Sequence, residues 1–198
     1  AITVLTTSLF AGISVVWDRV YGFLREILVA PVSRTGIVLG KACGATFQAS
    51  VQVALMLVLA PILGVHLDLG IILRLIPMIV ILSLGLAGLG IMLASFMRSQ
   101  QGFQTMMQMI IFPLIFLAGV FFPVNNVPTW MEVISKVNPL TYGVDAIRQV
   151  FLGVQASAAG LGVTIDDYTF SLGADVLVVS IMSGLLLTGA IWAFNRQE

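Results

Sequence analysis

Residues 75–96 read LIPMIVILSLGLAGLGIMLASF, twenty-two consecutive residues without a charged side chain. As a helix rising about 1.5 Å per residue, this run is roughly 33 Å long, enough for the roughly 30 Å hydrocarbon core of a bilayer. It reads as a membrane span, and the rest of the chain repeats the pattern. Ile2 to Trp17, Ala42 to Gly64, Thr105 to Phe122 and Gly173 to Phe194 are apolar stretches of the same kind. The expected fold class is an all-α integral membrane protein, with five transmembrane helices in one transmembrane domain covering residues 1–198.

Composition agrees with this reading. Hydrophobic residues make up 59% of the chain and charged residues only 9%, against roughly 25% charged in an average soluble domain. Nine Lys and Arg balance nine Asp and Glu, so no basic excess is present to hold phosphates, and nucleic acid is excluded as a main partner. A single Cys43 excludes an internal disulfide, and a single His66 excludes an ordinary zinc site. The 198 residues leave little for a soluble domain once about five spans of about 20 residues are counted.

Ile2 to Trp17 is the shortest stretch, roughly 24 Å as a helix. No basic segment or A-x-A site marks it as a signal peptide. Together with the start at Ala1, this leads to the expectation of a fragment that lacks an N-terminal part; the alternative is a mature chain whose first helix is short or tilted. Orientation follows from the cations. Arg19, Arg25, Arg34, Lys41, Arg98 and Arg196 fall on one side of the five spans, and Arg74, Lys136 and Arg148 on the other. Lys and Arg gather on the cytoplasmic side, which places the C-terminus inside. Arg74 is expected at the outer edge, snorkelling, because mid-bilayer placement costs roughly 2.5 to 3.5 kcal/mol.

Between the first two spans, residues 18–31 form an amphipathic pattern. Val20, Phe23, Leu24, Ile27 and Leu28 recur at helical spacing, with Asp18, Arg19, Arg25 and Glu26 on other faces, and Pro31 ends the run. A turn through Ser33, Arg34 and Thr35 leads to the next span. Such a helix either lies on lipid headgroups or docks into a soluble partner. Its mixed charges suit a protein groove better than an anionic membrane, which favours Lys and Arg alone.

The segment from Pro123 to Leu172 is too long for a bare connection. Thr129-Trp130-Met131-Glu132 fits a capping box ahead of an apolar stripe ended by Asn138-Pro139. A second short helix follows from Thr141, with Asp145 placed i,i+3 from Arg148. Helices over 129–151 are therefore expected in the outer interface, with Trp130 and Tyr142 anchoring at headgroup level. Residues 155–167 read as a surface loop.

Within the spans, Gly36, Gly40 and Gly44 recur every four residues, as do Gly90-x-x-x-Ala94 and Ser83-x-x-x-Ala87, spacings that permit close helix contact. Gln48 and Gln52 share one face, and Gln101, Gln104 and Gln108 lie on successive turns. Buried amides need partners, so these residues either bridge helices or line a substrate path. The run GIVLGKA (36–42) fails as a Walker A loop, having three residues between its glycines and alanine where the hydroxyl belongs. No nucleophile elbow or metalloprotease motif is present. The chain is expected not to be an enzyme, to hold no metal, and to depend on a partner for any uphill transport.

Three stretches carry a resemblance over nearly the whole chain: REILVAPVSRTGIVLGK (25–41), LGLAGLGIMLASFMRSQQGFQ (84–104) and FPLIFLAGVFFPVNNVPTWMEVISKVNPLTYGVDAIRQVFLG (112–153). In this order they resemble the type-2 permease subunits of ATP-binding-cassette exporters, closest to the daunorubicin-resistance and polysaccharide-export class. The resemblance implies that the five spans are spans two to six of a six-span permease. It implies that residues 18–31 are a coupling helix for a separate ATPase subunit, with Phe23, Arg25, Glu26, Pro31 and Arg34 at the contact. It also implies re-entrant outer helices carrying Trp130, Asn138, Pro139, Tyr142, Asp145 and Arg148; Gln48, Gln52, Gln104 and Gln108 stay, from their own spacing, either pathway or helix-contact residues. ATP and Mg would sit on the partner ATPase and no cofactor on this chain. A second permease copy, most simply a homodimer, and the plasma (inner) membrane of a bacterium or archaeon complete the expectation. A passive channel or secondary carrier, and a membrane anchor or assembly protein, are the rival readings.

Overall fold

The computed structural model describes residues 1–22, 33–64, 68–120, 129–152, 164–165, 168–169 and 172–196. Its helices are α1 (Ile2–Phe10), α2 (Ile13–Val20), α3 (Arg34–Leu59), α4 (Leu69–Phe96), α5 (Gln100–Leu117), α6 (Thr129–Val137), α7 (Pro139–Leu152) and α8 (Leu172–Asn195). A 3-10 turn, Ala60–Leu63, prolongs α3. Among the described residues, three helical stretches are long and apolar enough to cross a membrane: Arg34–Ile62, Leu69–Phe96 and Leu172–Asn195.

The helix starts follow side-chain capping, which shifts them from the hydropathy boundaries. Ser33 accepts from the Gly36 N–H at 3.1 Å, so α3 begins well before Ala42. Asp68 accepts from the Leu69 N–H at 2.9 Å, so α4 begins before Leu75 and takes in the exposed Arg74. Ser99 accepts from the Gly102 N–H at 3.1 Å, so α5 begins before Thr105. Beyond the end of α5 the chain turns at Gly119, whose φ is +70°.

Three further expectations change. The first apolar stretch is two short helices separated at Ala11-Gly12 rather than one continuous span. At the break the N–H groups of Ala11, Gly12 and Ser14 bond to carbonyls three residues back. The backbone touches that of α4 there: a Cβ on Gly12 would strike the carbonyl of Gly90, and one on Gly90 would strike the carbonyl of Leu9. Asp18, Arg19 and Val20 belong to α2, which ends before Gly22 at φ +80°, so they do not begin a helix running to Pro31. In the last part of the expected loop (155–167), β1 (Thr164–Ile165) pairs antiparallel with β2 (Tyr168–Thr169), which lies just beyond it, Thr164 opposite Thr169. The fold is therefore helical with one very short ribbon.

Helix α4 forms the centre. Leu75, Met78, Leu82, Leu86, Ile91 and Ala94 along it are all buried, against α1, α3, α7 and α8. Gly85 accommodates Ser183 of α8, and a Cβ on Gly88 would sit 3.1 Å from the Leu187 backbone. Ser183 Oγ donates to the Ile81 carbonyl at 2.9 Å. Lipid tails are as apolar as leucine, so close backbone approach and such interhelical bonds hold helices together where a hydrophobic drive is lacking. Phe10 and Phe103 add an edge-to-face pair, centroids 6.4 Å apart. The outward faces are apolar as well: Phe47, Val58, Ile62 and Met109 are each more than 70% exposed, as surfaces bathed in hydrocarbon require.

The glycine spacings divide. Gly90 and Ala94 meet Gly12, and Ser83 and Ala87 are buried, whereas added Cβ atoms on Gly40 and Gly44 would meet nothing within 4 Å.

Candidate functional site at the two ends of the bundle

At one end, the basic residues close the helix termini. Arg19 donates to the carbonyls of Met97 at 2.7 Å and Ser95 at 3.1 Å, at the last turn of α4. Arg34 donates to the carbonyl of Asn195 at 3.0 Å, at the last residue of α8. Helix ends leave four carbonyls unpaired and carry negative partial charge, and guanidinium groups answer both needs. Arg196 stacks over Trp192, 4.1 Å from the ring centroid.

Lys41 pairs with Asp18 at 2.6 Å and donates to Ser14 Oγ at 3.1 Å. These contacts join α2 to α3 and so tie together the two stems of the segment between Gly22 and Ser33. Phe23, Arg25, Glu26 and Pro31 lie outside the described residues. Arg34 is the one member of that expected set whose place is described, and it turns toward α8.

The amides are distributed along two faces. Gln52 is exposed and accepts from Thr7 Oγ1 at 2.5 Å, a bond between α3 and α1, while Gln48 one turn away is exposed. On α5, Gln100, Gln101, Gln104, Thr105 and Gln108 line one open polar groove of about 560 Å³. Further along α5, Phe112 and Phe116 stack with centroids 5.9 Å apart. Helix α5 thus presents amides along its first half and aromatic rings along its second.

At the other end, α6 and α7 meet at Asn138-Pro139. Asn138 Oδ1 accepts from the Leu140 N–H at 3.0 Å, capping α7, and Pro139 fills the first helical position, where its missing N–H costs nothing. The Asn138 amide also donates through Nδ2 to the Leu114 carbonyl at 2.9 Å, and Thr141 Oγ1 donates to the Leu117 carbonyl at 3.3 Å. Arg148 donates to the carbonyl of Gly119. Asn138, Pro139, Tyr142 and Asp145 are all buried. Gly143 faces Leu82, halfway along α4, so α7 descends beside that helix rather than lying across its tip.

Tyr142 departs from expectation. It is buried, with its O–H donating to the Lys136 carbonyl at 2.9 Å, so it faces the protein and not a membrane surface. Burial first, and then the carboxylate of Asp175, raises its hydroxyl above the ordinary tyrosine value, with Lys136 opposing. The backbone of Trp130 lies in α6, but its side chain and those of Thr129 and Glu132 lie outside the described residues, as does His66.

Two residues that pattern reading passed over also meet here. Gln149 Nε2 donates to Asp175 Oδ2 at 2.7 Å and to Asp145 Oδ2 at 3.3 Å, and both aspartates are about 1% exposed or less. The signal for Asp175 was its position in the first turn of an apolar helix, where the helix dipole favours a carboxylate. Among the described residues no group of His, Cys, Asp and Glu is placed to hold a metal ion.

Residues 1–152 match the family model described as ABC-2 type transporter. The chain is 30% identical over 154 residues to the probable multidrug ABC transporter permease YbhR of Escherichia coli, covering 76% of this chain and 41% of that protein. It is 25% identical over 197 residues to the putative transport permease ycf38 of Porphyra purpurea, covering 98% of this chain and 66% of the relative. Nodulation protein J of Rhizobium meliloti is 29% identical over 163 residues, covering 81% of this chain and 62% of that protein. The chain thus spans about two fifths to two thirds of the length of these relatives.

Proposed function

This chain belongs to the ABC-2 type transporter family, and on that premise we propose that it is the permease half of an ATP-driven exporter. Its cargo is an amphiphilic drug, lipid or glycan, moved outward across the plasma membrane of a bacterium or archaeon. In this reading the end bearing Arg19, Arg34 and the C-terminus is cytoplasmic, and five segments cross the bilayer: α1 with α2, α3, α4, α5 and α8. The segment holding Phe23, Arg25, Glu26 and Pro31 seats in a groove of a separate ATPase subunit, which carries ATP and Mg. A second permease copy completes the pathway, and Gln104 and Gln108 face the cargo.

The observation that supports this most is the pair of stems joined by Lys41 and Asp18. A docking segment transmits motion only when its stems move as a body. Here both stems are bound to each other, and Arg19 and Arg34 bind them to the ends of α4 and α8. The uncharged amide groove on α5, continuing into stacked aromatics, supports an amphiphilic cargo.

The test is transport by inside-out vesicles containing the full-length protein and its ATPase, with a fluorescent amphiphilic dye and a radiolabelled glycolipid as probes. ATP-dependent accumulation of either probe, reduced in Gln104→Leu/Gln108→Leu, supports the reading. Movement of a probe down its gradient without ATP favours a passive channel or carrier. No movement of either probe in vesicles with an active ATPase favours an anchor or assembly protein.

A further inference from the structure

Helix α5 has 18 residues, so it is about 27 Å long and falls short of a full bilayer core. Carbonyls at a helix end in or near a bilayer are satisfied internally, and here side chains from one short stretch of chain bond to them, at Leu114 in addition to the N–H of Ala118. Asn138 reaches Leu114, Thr141 reaches Leu117 and Arg148 reaches Gly119, all carbonyl oxygens at the end of α5 or just beyond. The helix that supplies them is itself fixed to the body of the bundle: Gly143 packs under Leu82 of α4, and Gln149 binds Asp175 of α8.

Pro113 stands immediately before the first clamped carbonyl, inside α5. Proline has no N–H to give to the carbonyl four residues earlier, and its ring crowds that carbonyl, so the helix is weakest there. On the near side of Pro113 lies the amide groove from Gln100 to Gln108, and on the far side the three clamped carbonyls.

We propose that Asn138, Thr141 and Arg148 are positioning residues that hold the turn of α5 beyond Pro113 to the α4–α8 body, while the half before Pro113 is fixed separately by the buried Phe103 and Met107. This deepens the exporter reading and rests on it for its consequence: the exit end of α5 keeps its place during transport. The clamp itself is a statement about geometry and is tested apart from transport.

The experiment uses the full-length protein in lipid nanodiscs with Cys43→Ser and one introduced cysteine carrying a trifluoromethyl label. The label sits either at Phe116, beyond Pro113, or at Met109, before it; both side chains are exposed. The 19F spectra of both labels are expected to be single narrow lines, and the Met109 line to keep its width in every variant of the clamp. Thr141→Val and Asn138→Ala are expected to abolish the single Phe116 line, and Thr141→Ser, which keeps the O–H donor, to preserve it. A label at the exposed Leu177 of α8 reports whether the body remains folded, and Arg148→Lys replaces any variant in which that line is lost. A Phe116 line untouched by the loss of the donors overturns the proposal, as does equal broadening by Thr141→Ser and Thr141→Val. A protein that passes these tests but drives no ATP-dependent export refutes the exporter reading and leaves the clamp standing.

Discussion

Lys41 Nζ lies 2.6 Å from Asp18 Oδ2, joining the last turn of α2 to the first turns of α3 across a gap of more than twenty residues in sequence. Both side chains are largely shielded, at 19% and 23% exposed, so water screens the pair only in part. Lys41→Met leaves the Asp18 carboxylate without its cation, and Asp18→Asn leaves Lys41 with only Ser14. Each single change is expected to cost about 1–3 kcal/mol of stability. The double change is expected to cost less than the two added together, as a double-mutant cycle of thermal unfolding in detergent would show.

The backbone contact of Gly12 with Gly90 gives a sharper expectation. Gly90→Val places side-chain atoms where the Leu9 carbonyl stands, and overpacking of this kind typically costs about 1–3 kcal/mol or more. Gly40→Ala and Gly44→Ala have open space and are expected to stay within about 0.5 kcal/mol of the native protein. Melting temperatures of the four proteins in one detergent check the ranking.

The contrast between these glycines shows how far the sequence could be read. The uncharged runs in α4 and α8 mark membrane helices, because no soluble fold needs such lengths of apolar residues. The spacing of Gly90 and Ala94 marks a face made for close approach, but small residues show that a neighbour comes near and not which one; Gly12 carried no periodic signal. Tyr142 shows a different limit, since a tyrosine at a membrane surface and one buried with its O–H satisfied look alike in an amphipathic pattern. The starts of α3, α4 and α5 lie before the hydropathy boundaries because Ser33, Asp68 and Ser99 act by capping, and hydropathy averages do not register one hydroxyl or carboxylate. The pairing of Thr164–Ile165 with Tyr168–Thr169 leaves no mark in the sequence, because two residues per strand are too few for alternation to appear.

Gln149 holds two buried carboxylates with one amide group. Gln149→Leu removes one hydrogen bond from each carboxylate, and hydrogen bonds to charged groups contribute about 1.5–3 kcal/mol each. Adding Asp175→Asn is expected to recover part of the loss, because the new amide donates toward Asp145. Urea or thermal unfolding of the single and double variants decides this, and equal stability of the two would contradict it.

Tyr142 sets an alkaline limit. Its hydroxyl titrates above the ordinary value near 10 in the folded chain, so the unfolded state gives up that proton first as pH rises. Stability from this group is fully present below pH 10 and is lost as pH climbs through the folded-state value. Tyr142→Phe is expected to be less stable at neutral pH, through loss of the bond to Lys136, and to decline less steeply above pH 10. Unfolding midpoints from pH 8 to 12 measure both slopes.

The central claim is that this chain is driven by a separate ATPase docked on the segment between α2 and α3. The most direct measurement is capture of the full-length protein from its native membranes in mild detergent, with mass spectrometry of the co-purifying proteins, beside Glu26→Arg. A soluble protein carrying a Walker A loop is expected to accompany the native chain and to be lost with the variant, while the variant remains folded. An ATPase that binds both proteins equally would contradict the docking assignment, and none at all, even after crosslinking, would contradict the claim itself.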